Sequence, residues 1–277
     1  MIESIRPIDV LMRKTNMRRH FMITALGSLL CIPSAAQRPA PDDQRRTLDT
    51  ARDIAIHYTS KLPDFICTEQ VQRTDRTSPT NIKADRLTIQ LSYFGQKEKQ
   101  KLVAMNGTKT DKPLESLDGL ITGGEFGSLL LGIFDPSSSA DFAWKESSTV
   151  GKRRASVYTY RIARAKSHYM LGHRLDNGTM VEEAAGYHGE VVLDSETNRV
   201  LRLTAAADDL PKNSVILQSS VEVDYAPVDV AGHSYLLPSR SEAHMERSYR
   251  QITNTVTFVD YRKFEVDSTI DFGPPKN

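Results

Sequence analysis

The chain is short of the features from which a function is usually read. Of its 277 residues only two are cysteine, and one of these, Cys31, lies in an N-terminal apolar run. Cys67 is then the one thiol left, which excludes a disulfide framework for the remainder. A nucleophilic cysteine needs a histidine and an orienting partner. The stretch Phe65-Ile66-Cys67-Thr68 offers neither, so Cys67 reads as a small buried hydrophobe. An excess of one charge is also missing: 36 Lys/Arg stand against 35 Asp/Glu, with the signs interspersed. That excludes the basic stripe by which nucleic acid is bound, and the sequence carries no polybasic membrane patch. No repeat, heptad or low-complexity block is present.

The spacings that carry catalysis are absent as well. There is no Gly-x-Ser-x-Gly elbow, no His-Glu-x-x-His and no Ser-x-x-Lys. Gly123, Gly124, Gly127 and Gly132 lack the lysine that a phosphate loop requires, and serve a flexible lead into a helix instead. His168 and His173 are five apart, which on a strand places them on opposite faces, so they form no metal pair. Glu182-Glu183 and Asp208-Asp209 read as solvated loops, and Lys152-Arg153-Arg154 as a hairpin loop after Gly151. The sequence therefore assigns no catalytic residue, no metal ligand and no cofactor.

What is present begins at the N-terminus. Met17-Arg18-Arg19-His20 is basic, residues 21–32 (FMITALGSLLCI) are apolar or small, and Pro33 precedes Ser34-Ala35-Ala36. This is the three-part pattern of a secretory signal, cut between Ala36 and Gln37. The apolar run is too short for the roughly 20 residues that span a bilayer, so no transmembrane anchor is expected after cleavage. Residues 1–16 have two open accounts. Either Met17 is the true start, or the first residues are the long n-region of a twin-arginine signal, which Arg18-Arg19-His20-Phe21-Met22 resembles. Leu30 before Cys31 is too large for a lipoprotein anchor. The expected location is periplasmic or secreted. The first 36 residues hold five of the basic and two of the acidic side chains, which leaves the remainder near −2.

Residues 37–46 read as a proline-punctuated tether and 47–277 as a single β-rich domain. Leu48, Ala51, Ala55, Tyr58 and Leu62 recur at three- and four-residue spacing, an amphipathic helix capped by Asp42 or Asp43 and ended before Pro63. Beyond Cys67 the period becomes two. Leu87, Ile89, Leu91 and Tyr93 share a face; so do Val215, Leu217, Ser219, Val221, Val223 and Tyr225; so do Asn254, Val256 and Phe258. These are half-buried antiparallel strands. Asn106-Gly107 and Asp176-Asn177-Gly178 mark hairpin turns. Residues 194–199 mark another, with Asn198 in the left-handed position. The run 128–134 (SLLLGIF) is apolar all round and belongs in a core or across the mouth of a cavity. The fold class is α+β, mainly β: a curved antiparallel sheet, or half-barrel, with one or two helices on its concave face.

The hairpin formed by residues 186–194 and 199–203, and the strand pair of residues 223–228 and 232–238, resemble the outer-membrane lipoprotein carrier (lipoprotein-sorting) superfamily. The overall order also resembles uncharacterised secreted bacterial proteins. The resemblance covers about a fifth of the chain and its motifs are structural. It implies an eleven-stranded half-barrel covered by helices, and a lipid or lipoprotein acyl chain as ligand. Residues 76–84 and 164–184 depart from the pattern as insertions that would fill or reshape a cavity. The apolar cluster Phe126, Leu129, Leu130, Leu131, Ile133, Phe134, Phe142 and Trp144 is either ordinary core or cavity lining. Phe126, Leu129, Leu130, Ile133, Phe134, Phe142 and Trp144 are the ligand-contact candidates. The expectation is an exported, non-enzymatic binding domain. The alternatives are an envelope interaction or sensing module and, more weakly, a hydrolase whose residues converge only in three dimensions.

Overall fold

The computed structural model describes residues 38–264, apart from 118, 122 and 175–179. The proposed cleavage point at Ala36 and Gln37, and the turn at Asp176-Asn177-Gly178, lie outside the described residues. Residues 36–277 form one compact unit; the other, residues 1–35, also lies outside them.

Helix α1 (Pro41–Ile56) opens the described chain. It starts earlier than Asp42 or Asp43 could cap it: Ala40 is the N-cap and Pro41 occupies the first turn. Proline suits that position because its missing N–H has no partner there in any case. The two aspartates sit inside the first turn, where they complement the helix dipole. The helix ends at Ile56 rather than running on towards Pro63, and a short 3₁₀ turn, Thr59–Lys61, follows.

Four strands then run as a meander: β1 (Phe65–Arg76), β2 (Ile82–Phe94), β3 (Lys97–Met105) and the two-residue β4 (Thr108–Lys109). Residues 110–127 cross the sheet as a strap and lead into α2 (Ser128–Phe134). The second meander comprises β5 (Asp141–Val150), β6 (Arg153–Ile162), β9 (Gly186–Asp194), β10 (Val200–Asp208), β11 (Ile216–Val230), β12 (His233–Arg247) and β13 (Arg250–Lys263). Between β6 and β9 a small hairpin, β7 (Met170–Arg174) with β8 (Met180–Ala184), stands as its own sheet. The main sheet has 11 strands in the order β4-β3-β2-β1-β13-β12-β11-β10-β9-β6-β5. Its antiparallel order closes where β13 returns beside β1, and it curves without sealing into a barrel.

Two clusters fill the covered face. Ala51 and Ala55 of α1, with Leu130, Ile133 and Phe134 of α2, pack on Tyr158, Tyr187, Val191, Leu203 and Val223 of β6 and β9 to β11. The alanines let the helix axis come close to the sheet. The second cluster lies over β1 to β3 and β13, where Phe126 packs against Phe65 and Phe258 at ring separations of 5.3 and 5.4 Å. Leu87, Ile89, Leu91 and Tyr93 are all buried on one face of β2, and Cys67 is buried on β1.

In β11 the period of two fails at the start of the strand. Ile216 is buried and Leu217 is 52% exposed, because the β11–β12 register slips between Ile216 and Gln218. A bulge moves every residue before it to the other face. Alternation holds from Ser219 to Tyr225; a second slip between Asp224 and Tyr225 precedes the change by which Val230 is buried while Pro227 and Asp229 are exposed. Glu182 and Glu183 are not in a loop: they belong to β8, and Glu183 accepts a hydrogen bond from the Ser214 hydroxyl. His168 precedes β7 and shares no strand with His173. The Asn106-Gly107 turn and the left-handed Asn198 (φ 56°) form as the sequence indicated.

Candidate functional site

A cavity of about 390 Å³ lies between the sheet and the elements laid over it, within the 300–1,000 Å³ range of small-molecule sites. Its floor is Ser219 and Val221 of β11, Ala243 and Met245 of β12, and Ile252 of β13. One wall is the strap and the start of α2, through Leu120, Ile121 and Leu129; the other is the β7 hairpin, through Tyr169, Met170 and Leu171. The lining is mainly apolar. Charge enters at Glu125, and again at Glu115, Arg247 and Arg250.

The strap is held by groups that reach up from the sheet. Arg73 Nη2 and Asn254 Nδ2 both donate to the carbonyl of Leu120, at 2.6 and 2.8 Å, and Arg73 Nε donates to Asn254 Oδ1 at 3.2 Å. Gly119 is required here: its φ is +124°, and a Cβ would stand 2.8 Å from Arg73 Nη1. Further along, Glu98 Oε2 accepts from the Gly124 N–H at 3.2 Å and also receives the Phe126 N–H. Ser241 donates to Glu125 Oε1 at 3.2 Å, and Tyr225 donates to the Glu125 carbonyl at 2.9 Å.

These contacts draw Glu69, Glu98 and Glu125 into mutual electrostatic range. Burial first, and the charge of Glu125 next, push Glu98 up to about 7. Burial likewise pushes Glu69 up to about 8, against the opposing effect of Gln100, whose Nε2 donates to both carboxylate oxygens at 3.0 Å. Burial also pushes the Cys67 thiol up. A carboxyl that holds its proton near neutrality lowers the charge buried beneath the strap.

Among the described residues no group of three or more His, Cys, Asp or Glu could hold a metal ion. His244 Nδ1 meets Thr253 Oγ1 at 3.2 Å, and His188 Nδ1 meets Asp208 at 3.5 Å. The contacts of neither pair unite hydroxyl, imidazole and carboxylate. A wider groove of about 710 Å³ on the other face of β6 and β9 to β12 is lined by polar and charged side chains such as Arg161, Glu190 and Glu222. Cross-strand ion pairs stand on these strands, Arg161 with Asp208 and Arg202 with Asp224.

The seven ligand-contact candidates separate. Leu129 lines the cavity. Leu130, Ile133 and Phe134 are buried in the larger core cluster, with Phe142 and Trp144 packed against it from β5, and Phe126 is buried in the other cluster. Sequence reasoning passed over Leu120, Tyr169, Leu171 and Met245. Tyr169 and Leu171 fall inside residues 164–184, the stretch the sequence reading set apart. That position was the available clue.

The architecture is thus an open, curved antiparallel sheet with a helix-covered concave face and a cavity under a strap. No family model matches the sequence, and no curated protein matches it. Among solved structures the chain is similar to a LolA superfamily protein from Nitrosomonas europaea, at 9% identity over 82% of this chain and 96% of that one, with a TM-score of 0.40. It is similar to a putative outer membrane lipoprotein-sorting protein domain from Vibrio parahaemolyticus, at 12% identity over 79% and 92%, TM-score 0.38. A DUF1329 family protein from Desulfovibrio piger gives 11% identity over 82% and 94%, TM-score 0.38.

Proposed function

We propose that this chain is an exported, non-enzymatic binding protein that takes an apolar chain, such as a lipid or lipoprotein acyl group, into the cavity beneath the strap. The observation that carries the reading is the cavity itself: about 390 Å³, floored by Val221, Ala243, Met245 and Ile252 and roofed by Leu120 and Leu129. Apolar lining of this extent favours a ligand by the area it removes from water, about 25 cal/mol per Å². The three-part N-terminal pattern supports a periplasmic or secreted location.

Native mass spectrometry of protein purified from the cell envelope tests the reading. The expected result is a bound species of lipid mass that organic extraction releases. Ala243→Phe, which fills the cavity, should abolish it while the far-ultraviolet circular dichroism stays unchanged. Protein that carries no lipid, and takes up no added fatty acid, overturns the reading.

One observation favours a second reading, an interaction module. β5 is an edge strand of ten residues, open on its outer side. Its register slip between Trp144 and Glu146, and its Lys145–Glu190 ion pair at 2.7 Å, are devices that blunt an edge against casual pairing.

A further inference from the structure

Exposed large apolar side chains are normal when scattered singly over a surface. Here they are gathered. Ile82, Ile121, Met170, Leu217 and Tyr249 are between 41% and 88% exposed, with Tyr249 the most exposed of all. Ile121 and Met170 line the cavity together with Arg247 and Arg250, so they lie at its mouth.

The register shows that the other three share that end of the sheet. Ile82 pairs with Arg76, Arg76 with Gln251, Gln251 with Glu246, and Glu246 with Gln218, next to Leu217. Five adjacent strands, β2-β1-β13-β12-β11, therefore end in one row, roughly 19 Å wide at about 4.8 Å per strand. Tyr249 stands beyond the row, at the tip of the β12–β13 hairpin.

Charge at this end is of one prevailing sign. The two hairpin tips bring Arg76, Lys83, Arg247 and Arg250 against Asp75 and Glu246, with Glu115 of the strap beside Arg247 and Arg250 in the cavity lining. Asp75 is taken by Arg250 at 2.6 Å. Arg76, Lys83 and Arg247 form no ion pair with a carboxylate among the described residues. The sequence holds no basic run; the fold assembles these cations from three strands.

We propose that this end of the molecule docks on an anionic lipid bilayer, with Tyr249, Leu217 and Ile82 entering the interface and Arg76, Lys83 and Arg247 meeting the lipid headgroups. Tyrosine is suited to that depth because its ring is apolar and its hydroxyl stays wet. Basic side chains near such a surface are drawn by its potential, within a Debye length. The pose sets the cavity mouth against the membrane. It stands on the surface pattern and holds whatever fills the cavity.

Co-sedimentation with vesicles of phosphatidylcholine containing 30% phosphatidylglycerol tests it. The chain should bind these vesicles at least tenfold more tightly than pure phosphatidylcholine vesicles, and added salt should weaken the binding. Ile82→Ser/Leu217→Ser/Tyr249→Ser and, separately, Arg76→Glu/Arg247→Glu should each lower binding at least tenfold with an unchanged melting temperature. In a Trp144→Phe background, tryptophan emission of Tyr249→Trp should shift to the blue on vesicle addition. Phe94→Ser, at the opposite end of β2, should bind as the parent does. Ala243→Phe, checked for an unchanged melting temperature, should also keep vesicle binding, since Ala243 is buried beneath the cavity and away from the docking surface. Absence of vesicle binding, equal loss in Phe94→Ser, or loss in Ala243→Phe overturns the proposal. So does a concentration-dependent dimer that the triple serine variant abolishes when vesicles are not bound; the face would then belong to a second copy of the chain.

Discussion

Glu69 and Glu98 hold their protons to unusually high pH, and this links the strap to the acidity of its surroundings. Both have an ordinary value of 4.5 and are pushed up to about 8 and about 7. Near neutrality the folded chain therefore retains protons that the unfolded chain has released. Their contribution to stability is complete below about 4.5 and is lost as pH rises through about 7 to 8. Chemical denaturation should show stability falling by several kcal/mol between pH 5 and pH 8, since one unit of pKa difference is about 1.4 kcal/mol. Glu69→Gln/Glu98→Gln should halve that fall or better; an unchanged slope would remove the carboxyls as its source. Gly119 makes a second test at this scale. Its left-handed backbone and its approach to Arg73 leave no room for a Cβ, so Gly119→Ala should cost about 1–3 kcal/mol, read from the shift in urea midpoint. The requirement for glycine at 119 was not visible in the sequence, because Arg73 is 46 positions away.

At the scale of elements, the amphipathic stripe of α1 and the alternation in β2 and β13 were legible, since each depends on neighbours a few residues apart. The start of α1 was misplaced because Asp42 and Asp43 look like caps, while Pro41 begins the helix without a side-chain cap. β11 shows where strict alternation stops being sufficient. Its bulge buries Ile216 and turns Leu217 outward, a choice made by pairing with β12. Ile216→Ala should therefore destabilise by about 2–5 kcal/mol, whereas Leu217→Ala should stay within about 0.5 kcal/mol. The same urea curves measure both, and a reversed order would place the bulge elsewhere. Of the apolar cluster around α2, the sequence identified the residues but not their allocation. Leu129 faces the cavity while Ile133 and Phe134 face the core, because a seven-residue helix apolar on all sides carries no periodic mark of its inner face.

For the whole molecule the decisive pairing is β13 with β1. It joins ends of the described chain nearly 200 positions apart, as in Phe65 with Lys263. Closing so long a loop is slow, so refolding from denaturant should take seconds or longer, in the range of the slowest all-β domains. Residues 1–249, which lack β13, should show no cooperative unfolding transition; a normal transition in that fragment would show that β1 needs no central neighbour. The N-terminal pattern makes a separate prediction: N-terminal sequencing of protein recovered from the envelope should begin at Gln37, whichever start codon is used.

The sequence by itself determined the class of element along the chain, several of its turns and the absence of a local catalytic motif. All of these are set by the preferences and spacing of near neighbours. Tertiary structure alone decided that Tyr169 and Leu171, from the segment before and within β7, form one wall of a cavity and Leu120 the other. It decided too that Arg73 and Asn254, from strands at opposite ends of the chain, hold the strap by one carbonyl. Strand order and register are long-range choices, fixed only when the sheet closes and every buried polar group must find its partner.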